Sequence, residues 1–243
     1  MTVLHAEWTK ARTVPGTPWL LAGVVALTIL VGALATNGMP TGGDPAKSAF
    51  MGVALGQAVV AILAVLSIGG EYGTGMIRTT LTAMPRRLTV LAAKGFVVTA
   101  LTVTAGTAAI AGAVAVGHHF LPGLSLSDGP ILRAAVGSVL YLGLVALFSV
   151  GVAALVRESA TAVGVVLALL YLTPLVVSLV SDPDWRDRLE KLSPMTAGLS
   201  IQATVNLDTQ PIGPWQGLGV LALWAAAALL AGGTALRLRD AGQ

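Results

Sequence analysis

The sequence predicts an all-α integral membrane protein with six transmembrane helices. Three observations carry that prediction. Of the 243 residues, 55% are hydrophobic and only 10% are charged, with a mean hydropathy of +0.84. Soluble domains carry about 25% charged residues, so this chain lacks the groups to cover a water-facing surface. Six runs contain no Asp, Glu, Lys or Arg: 19–36, 49–70, 95–117, 134–156, 160–180 and 218–236. Each approaches or exceeds the roughly 20 apolar residues that a helix needs to cross the hydrocarbon core. Finally, the 29 glycines suit helices that pack closely in lipid. Backbone groups in lipid must be satisfied within their own segment, so the runs are read as helices. The chain has no cysteine, which excludes a disulfide-stapled secreted domain. Residues 1–243 are read as a single membrane domain.

Ahead of the first run, residues 2–14 read as a short amphipathic helix in the interface. Leu4, Trp8 and Ala11 share one face, and His5, Glu7, Lys10 and Arg12 are polar. Trp8 is placed at headgroup depth. Pro15-Gly16-Thr17-Pro18 turns the chain into span one. Ala33-Leu34-Ala35 resembles a signal-peptidase site, but the run is longer than the 7–15 residues usual for a signal peptide's apolar region, so the segment is expected to be retained. In span two, Gly52 and Gly56 form a G-x-x-x-G pair suited to close helix packing. In span five, Pro174 removes a backbone donor and is expected to perturb that helix.

The connections set the orientation. Nine of the fourteen Lys and Arg residues fall in the N-terminus, the second and fourth connections and the tail, and five fall on the other side. By the positive-inside rule both termini are cytoplasmic, in a multi-pass protein of the plasma membrane. The net charge of +3 follows from this topology and does not argue for nucleic-acid binding. Of the outer connections, 181–217 is the long one. Asp182 as N-cap, Pro183 at the first helical position, and Trp185, Leu189 and Leu192 at helical spacing predict a helix within 182–192. One or two short helices should lie on, or dip into, the outer face.

Little in the chain points to catalysis. Gly42-Gly43-Asp44-Pro45-Ala46-Lys47-Ser48 imitates a phosphate loop, but Ala46 stands where Gly should precede the lysine, and no strand leads into it. His118 and His119 are adjacent, without the i, i+4 spacing of helical metal ligands, and read as polar residues ending span three. No nucleophile–base set or carboxylate pair is readable. The expectation is a protein with no ATP site, cofactor or metal of its own.

The informative stretch follows span two. Gly69 and Gly70 are expected to end that span through the left-handed conformation glycine favours at helix C-termini. Thr74 is read as the N-cap of a new helix over 75–84, stopped by Pro85. On a helical wheel Met76, Ile77, Thr80, Leu81 and Met84 fall within about 140°. Arg78, Thr79 and Thr82 therefore face away from the membrane. Arg86, Arg87 and Lys94 are set at the phosphate level, Lys94 by snorkelling. Glu71, at the turn, is expected to accept hydrogen bonds from the backbone N–H groups that follow it.

Glu71-Tyr72-Gly73-Thr74-Gly75, then Arg78, Leu81, Pro85-Arg86-Arg87 and Lys94, resembles the motif after the second span of ABC-2 type transporter permeases. Glu7-Trp8-Thr9-Lys10 resembles that family's N-terminal segment, and Arg157-Glu158-Ser159 its short second cytoplasmic loop. The Ala/Gly/Arg bias looks closest to actinobacterial members. The resemblance implies a dimer of permease subunits, homo- or heteromeric, in the lipid bilayer. It also implies two separate ATPase subunits docked at the cytoplasmic face, with 75–84 as the coupling helix and export between spans two and five of the two protomers. Tyr72, Gly73, Gly75 and Leu81 enter the coupling site on this ground alone. Uncharged spans point to an apolar or amphipathic cargo. Two other readings compete. A proton- or sodium-driven transporter normally places ionisable residues inside its spans, whereas here Gln57 is the only carboxamide in any run and no charge is present. The other is a scaffold or immunity protein without transport activity.

Overall fold

The computed structural model describes residues 3–38, 43–76, 86–121 and 123–238. The described residues are helical, with no strand among them, and six helices are long and apolar enough to cross a membrane. These spans are Gly16–Asn37, Val53–Gly73, Arg87–Phe120, Gly129–Val156, Ser159–Ser178 and Pro214–Leu238. A helix over Val3–Thr13 precedes span one and packs on the start of span three.

Span four is the centre of the bundle. It touches spans two, three, five and six, and 67% of its most apolar window is buried, against 22% in spans one and five. Tyr141, Leu142, Val145 and Phe148 are fully enclosed, while the large apolar residues of span five, such as Leu172, Leu175 and Val176, face outward. Helices attract one another only weakly through apolar burial when lipid is the alternative, so close backbone approach has to hold them together. Glycine supplies it. A Cβ on Gly52 would sit 2.2 Å from the Thr28 carbonyl oxygen, and one on Gly56 2.8 Å from the Thr28 hydroxyl. The G-x-x-x-G pair of span two is thus the seat of span one. Gly151 and Gly232 do the same where spans four and six cross.

Span five is interrupted as Pro174 predicts. Ala168–Leu172 widens into a π-helical turn, in which the Thr173 N–H donates to the Ala168 carbonyl five residues back. The widened turn accommodates the proline ring and directs Tyr171 across to span two, where its hydroxyl donates to the Ala54 carbonyl.

The connection between spans five and six contains the helix expected within 182–192. It runs Pro183–Leu192, and the Asp182 carboxylate accepts from the amides of Asp184 and Trp185 at 2.9 and 3.2 Å. A second helix, Pro194–Leu199, and the turn Ser200–Gln202 then dip between spans four and six. Ala197 and Ile201 are fully buried there, and Gly137 and Gly198 on either side leave room for Ile201 and the Tyr141 ring. Trp224 in span six donates to the Leu192 carbonyl at 2.9 Å. Trp224 lies ten residues, about 15 Å, along that helix from its start.

The helix limits differ from the charge-free runs in one instructive way. Span two continues through Glu71 to Gly73, and span three begins at Arg87 instead of 95. Charged residues that find partners can remain helical.

Candidate functional site: a four-charge lock at the end carrying the termini

Four charged side chains from three helices meet at one end of the bundle. Glu7 and Lys10 come from the N-terminal helix, Glu71 from the last turns of span two, and Lys94 from the third turn of span three. Lys10 Nζ lies 3.0 Å from Glu7 Oε1 and 2.8 Å from Glu71 Oε1. Lys94 Nζ lies 2.6 Å from Glu7 Oε2 and 3.0 Å from Glu71 Oε1. Glu7, Glu71 and Lys94 are 4%, 6% and 5% exposed. Two carboxylates and two ammonium groups cancel in net charge, which is what makes such burial tolerable. Lys10 is the outermost member. Burial opposes its charged form, but the hydrogen bonds to Glu71 and Glu7 prevail, and its pKa is raised.

Several expectations are corrected here. Glu71 does not accept from the backbone that follows it. Oε1 is taken by the two lysines, and Oε2 has no hydrogen-bond partner among the described residues. Lys94 does not snorkel to phosphate, because Glu7 and Glu71 hold it inside. Glu7 sits on the inward side of its helix, whereas Trp8 next to it is 41% exposed. Gly69 and Gly70 do not terminate span two. Gly69 instead clears space for Ser159, whose Oγ would lie 2.3 Å from a Cβ there. The chain leaves the helix at Gly75, which takes φ +71°. Thr74 closes span two, its hydroxyl donating to the Gly70 carbonyl at 2.8 Å, and the amides it is expected to cap lie largely outside the described residues. Gly73 faces open space.

The other site residues that can be described gather at this same end. Tyr72 lies under the Arg157 guanidinium, 5.8 Å from ring centroid to Cζ. Arg157 takes φ +65° in ending span four, and its Nη2 donates to the Ala235 carbonyl at 2.7 Å. Arg87 donates to the neighbouring Leu236 carbonyl at 2.8 Å. The two arginines thus tie the C-terminal end of span six, whose last carbonyls lack helical partners, to the starts of spans three and five. Glu158 caps span five by accepting from the amides of Ala160 and Thr161. Hydrogen bonds from the Thr161 hydroxyl and from those amides lower its pKa. Arg86 is exposed just ahead of span three. Arg78, Thr79, Leu81 and Thr82, and with them most of the expected helix over 75–84, lie outside the described residues.

Two polar groupings escaped the sequence reading. Gln57 in span two accepts from the Tyr141 hydroxyl of span four, and both side chains are fully buried. Their partners come from helices far apart in sequence, and only the lone carboxamide in span two hinted at a contact. At the far end, Asp44 N-caps the short helix Pro45–Ala49 and also accepts from the Thr204 amide and hydroxyl, each at 2.6 Å, and from Val205 N at 3.1 Å. Burial works against the Asp44 charge, but these bonds outweigh it and lower its pKa. The segment that imitates a phosphate loop therefore fastens the connection between spans five and six to that between spans one and two. His118 Nδ1 lies 3.0 Å from the Leu124 carbonyl, and the described residues contain no cluster of three or more metal-ligating side chains. Compared with family models and with curated proteins, the chain matches none.

Proposed function

We propose that this chain is the permease subunit of an ATP-binding-cassette exporter, moving an apolar or amphipathic substrate outward with energy from a separate ATPase subunit. The observation that carries the reading is the four-charge lock. It joins the N-terminal helix, the end of span two and the start of span three, and so clamps both flanks of the segment that the resemblance makes the ATPase-docking helix. A push on 75–84 would reach three helices as one body. Spans two and five, in contact with each other through Tyr171 and Ala54, would move with it. The lock lies at one end, and the polar groups deeper in the bundle, Gln57 and Tyr141, are engaged with each other. That disposition suits a mechanical relay better than an ion path through the membrane.

In this reading the protein is a dimer in the plasma membrane with both termini cytoplasmic. A single cysteine at position 79 of the Cys-free chain should react with an impermeant thiol reagent only after the cells are opened, and one at position 187 in intact cells. The reverse pattern would overturn the orientation. The coupling assignment is tested by affinity purification of the tagged chain from its native membranes. An ATPase subunit should accompany it. Arg78→Glu should lose that subunit through charge reversal at the docking surface. Glu71→Ala should keep it but lose export at matched abundance. Normal export and retained ATPase in both variants would sink the assignment.

A further inference from the structure

The two halves of span five are held differently. The inner half, Ser159–Leu167, packs on spans two and four, and Ala162 and Val166 are buried there. The outer half, Thr173–Ser178, lies chiefly against the turn below it and the helix Pro183–Leu192, and has only slight contact with the other spans. Val177 is its one buried residue, while Leu175 and Val176 are exposed. Local stability follows the density of buried apolar contacts, so the outer half is the looser body.

Between the halves the helix is interrupted twice. Ala168–Leu172 is wound as a π-turn. Pro174 then leaves the Leu170 carbonyl without the amide it would have in a regular helix. Both features break the hydrogen-bond ladder that stiffens a helix, and sharp bends gather at such breaks. A hydrogen bond crosses from this point to span two. The Tyr171 hydroxyl, carried by the π-turn, donates to the Ala54 carbonyl. The same carbonyl accepts from Gln57 Nε2 at 3.1 Å, and Gln57 Oε1 accepts from the buried Tyr141 hydroxyl. Tyr171 is therefore tied to a polar group that is itself fixed between spans two and four.

We propose that the outer half of span five is a flap, hinged at Ala168–Leu172 and latched to span two by the Tyr171 hydroxyl. With the latch made, the flap takes the position it has in this structure. With the latch broken, the flap swings about the π-turn while the inner half stays packed on spans two and four. The cleft between spans two and five then widens at the end away from the termini. This inference goes beyond the transport reading and does not depend on it, since it needs neither an ATPase nor a cargo.

Paired spin labels test it in the full chain, which has no cysteine of its own. One pair replaces the exposed residues Leu132, in span four, and Val176, in the flap; the other replaces Leu132 and Val165, in the inner half. Each labelled chain is diluted with unlabelled chain in phospholipid nanodiscs, and double electron–electron resonance gives the distance distribution. Tyr171→Phe removes one hydroxyl. It should add a longer component to the 132–176 distribution, with the ratio of open to closed chains rising about two- to twelvefold, as about 0.5–1.5 kcal/mol for one hydrogen bond implies. The 132–165 distribution should not change. Pro174→Ala restores the missing amide, and added to Tyr171→Phe it should reduce the longer component. An unchanged 132–176 distribution in Tyr171→Phe would overturn the proposal. So would equal changes in both distributions, because span five would then move as one rod. A longer component untouched by Pro174→Ala would equally rule out the hinge.

Discussion

Gly151→Val is expected to prevent the bundle from assembling. A Cβ at this position would lie 2.5 Å from the Ala228 carbonyl carbon and 2.5 Å from the Leu229 nitrogen. Both are backbone atoms of span six, so no rotamer change relieves the clash. The obstruction is reciprocal, because a Cβ on Gly232 would lie 2.5 Å from the Gly151 carbonyl oxygen. Overpacking a yielding core costs about 1–3 kcal/mol. Here the helices themselves must part, and span six packs chiefly on span four. The loss should therefore reach or exceed about 3 kcal/mol, at the top of that range. Size-exclusion chromatography in detergent after a heating series measures it: the variant should give aggregate in place of a monodisperse peak. Gly164→Val in span five is the control, since a Cβ there meets nothing within 4 Å and the site is not enclosed. Equal midpoints for the two variants would show that the crossing is not what holds span six.

The contrast between these glycines shows what a single sequence does and does not disclose. The six spans can be read directly, because an unpaired charge at a helix centre costs about 2.5–3.5 kcal/mol on insertion scales and is therefore excluded from the runs. The Asp182 cap can be read because its partners are two and three residues away. The role of each glycine cannot. Gly69, Gly75 and Gly164 look alike in the sequence, yet one clears space for Ser159, one supplies a positive φ and one faces open space. Glu7 and Lys94 are hidden for a related reason. They are 87 residues apart, and each alone resembles a surface charge beside a membrane helix. Excluding charge from the spans thus located the helices but misplaced several of their ends, among them those at Glu71 and Lys94, where ion pairing removes the cost that the rule assumes.

Lys94→Met should release the N-terminal helix and strongly destabilise the end of the bundle that carries the termini. The substitution keeps the length of the side chain and removes only its charge and donors. Glu7 Oε2 then loses its partner, and Glu71 Oε1 keeps Lys10 alone. Two nearly enclosed carboxylates would face a single ammonium that is itself partly exposed. Breaking a buried pair from one side costs about 3–5 kcal/mol, mostly as the penalty of the stranded charge. That origin makes a sharper prediction than the loss itself. Adding Glu71→Gln to Lys94→Met restores neutrality among the remaining groups, so the double variant should be more stable than Lys94→Met alone. Thermal midpoints of the two singles and the double close the cycle, and the coupling should fall in the 0.5–3 kcal/mol range of directly interacting groups. Limited trypsinolysis gives the structural counterpart. Cleavage after Lys10 or Arg12, slow while the N-terminal helix is locked down, should accelerate in Lys94→Met and slow again in the double variant. If the two substitutions are simply additive, and the N-terminal helix is cut at the same rate throughout, the four charges do not act as one lock. The N-terminal helix would then be held to the bundle by its apolar contacts alone.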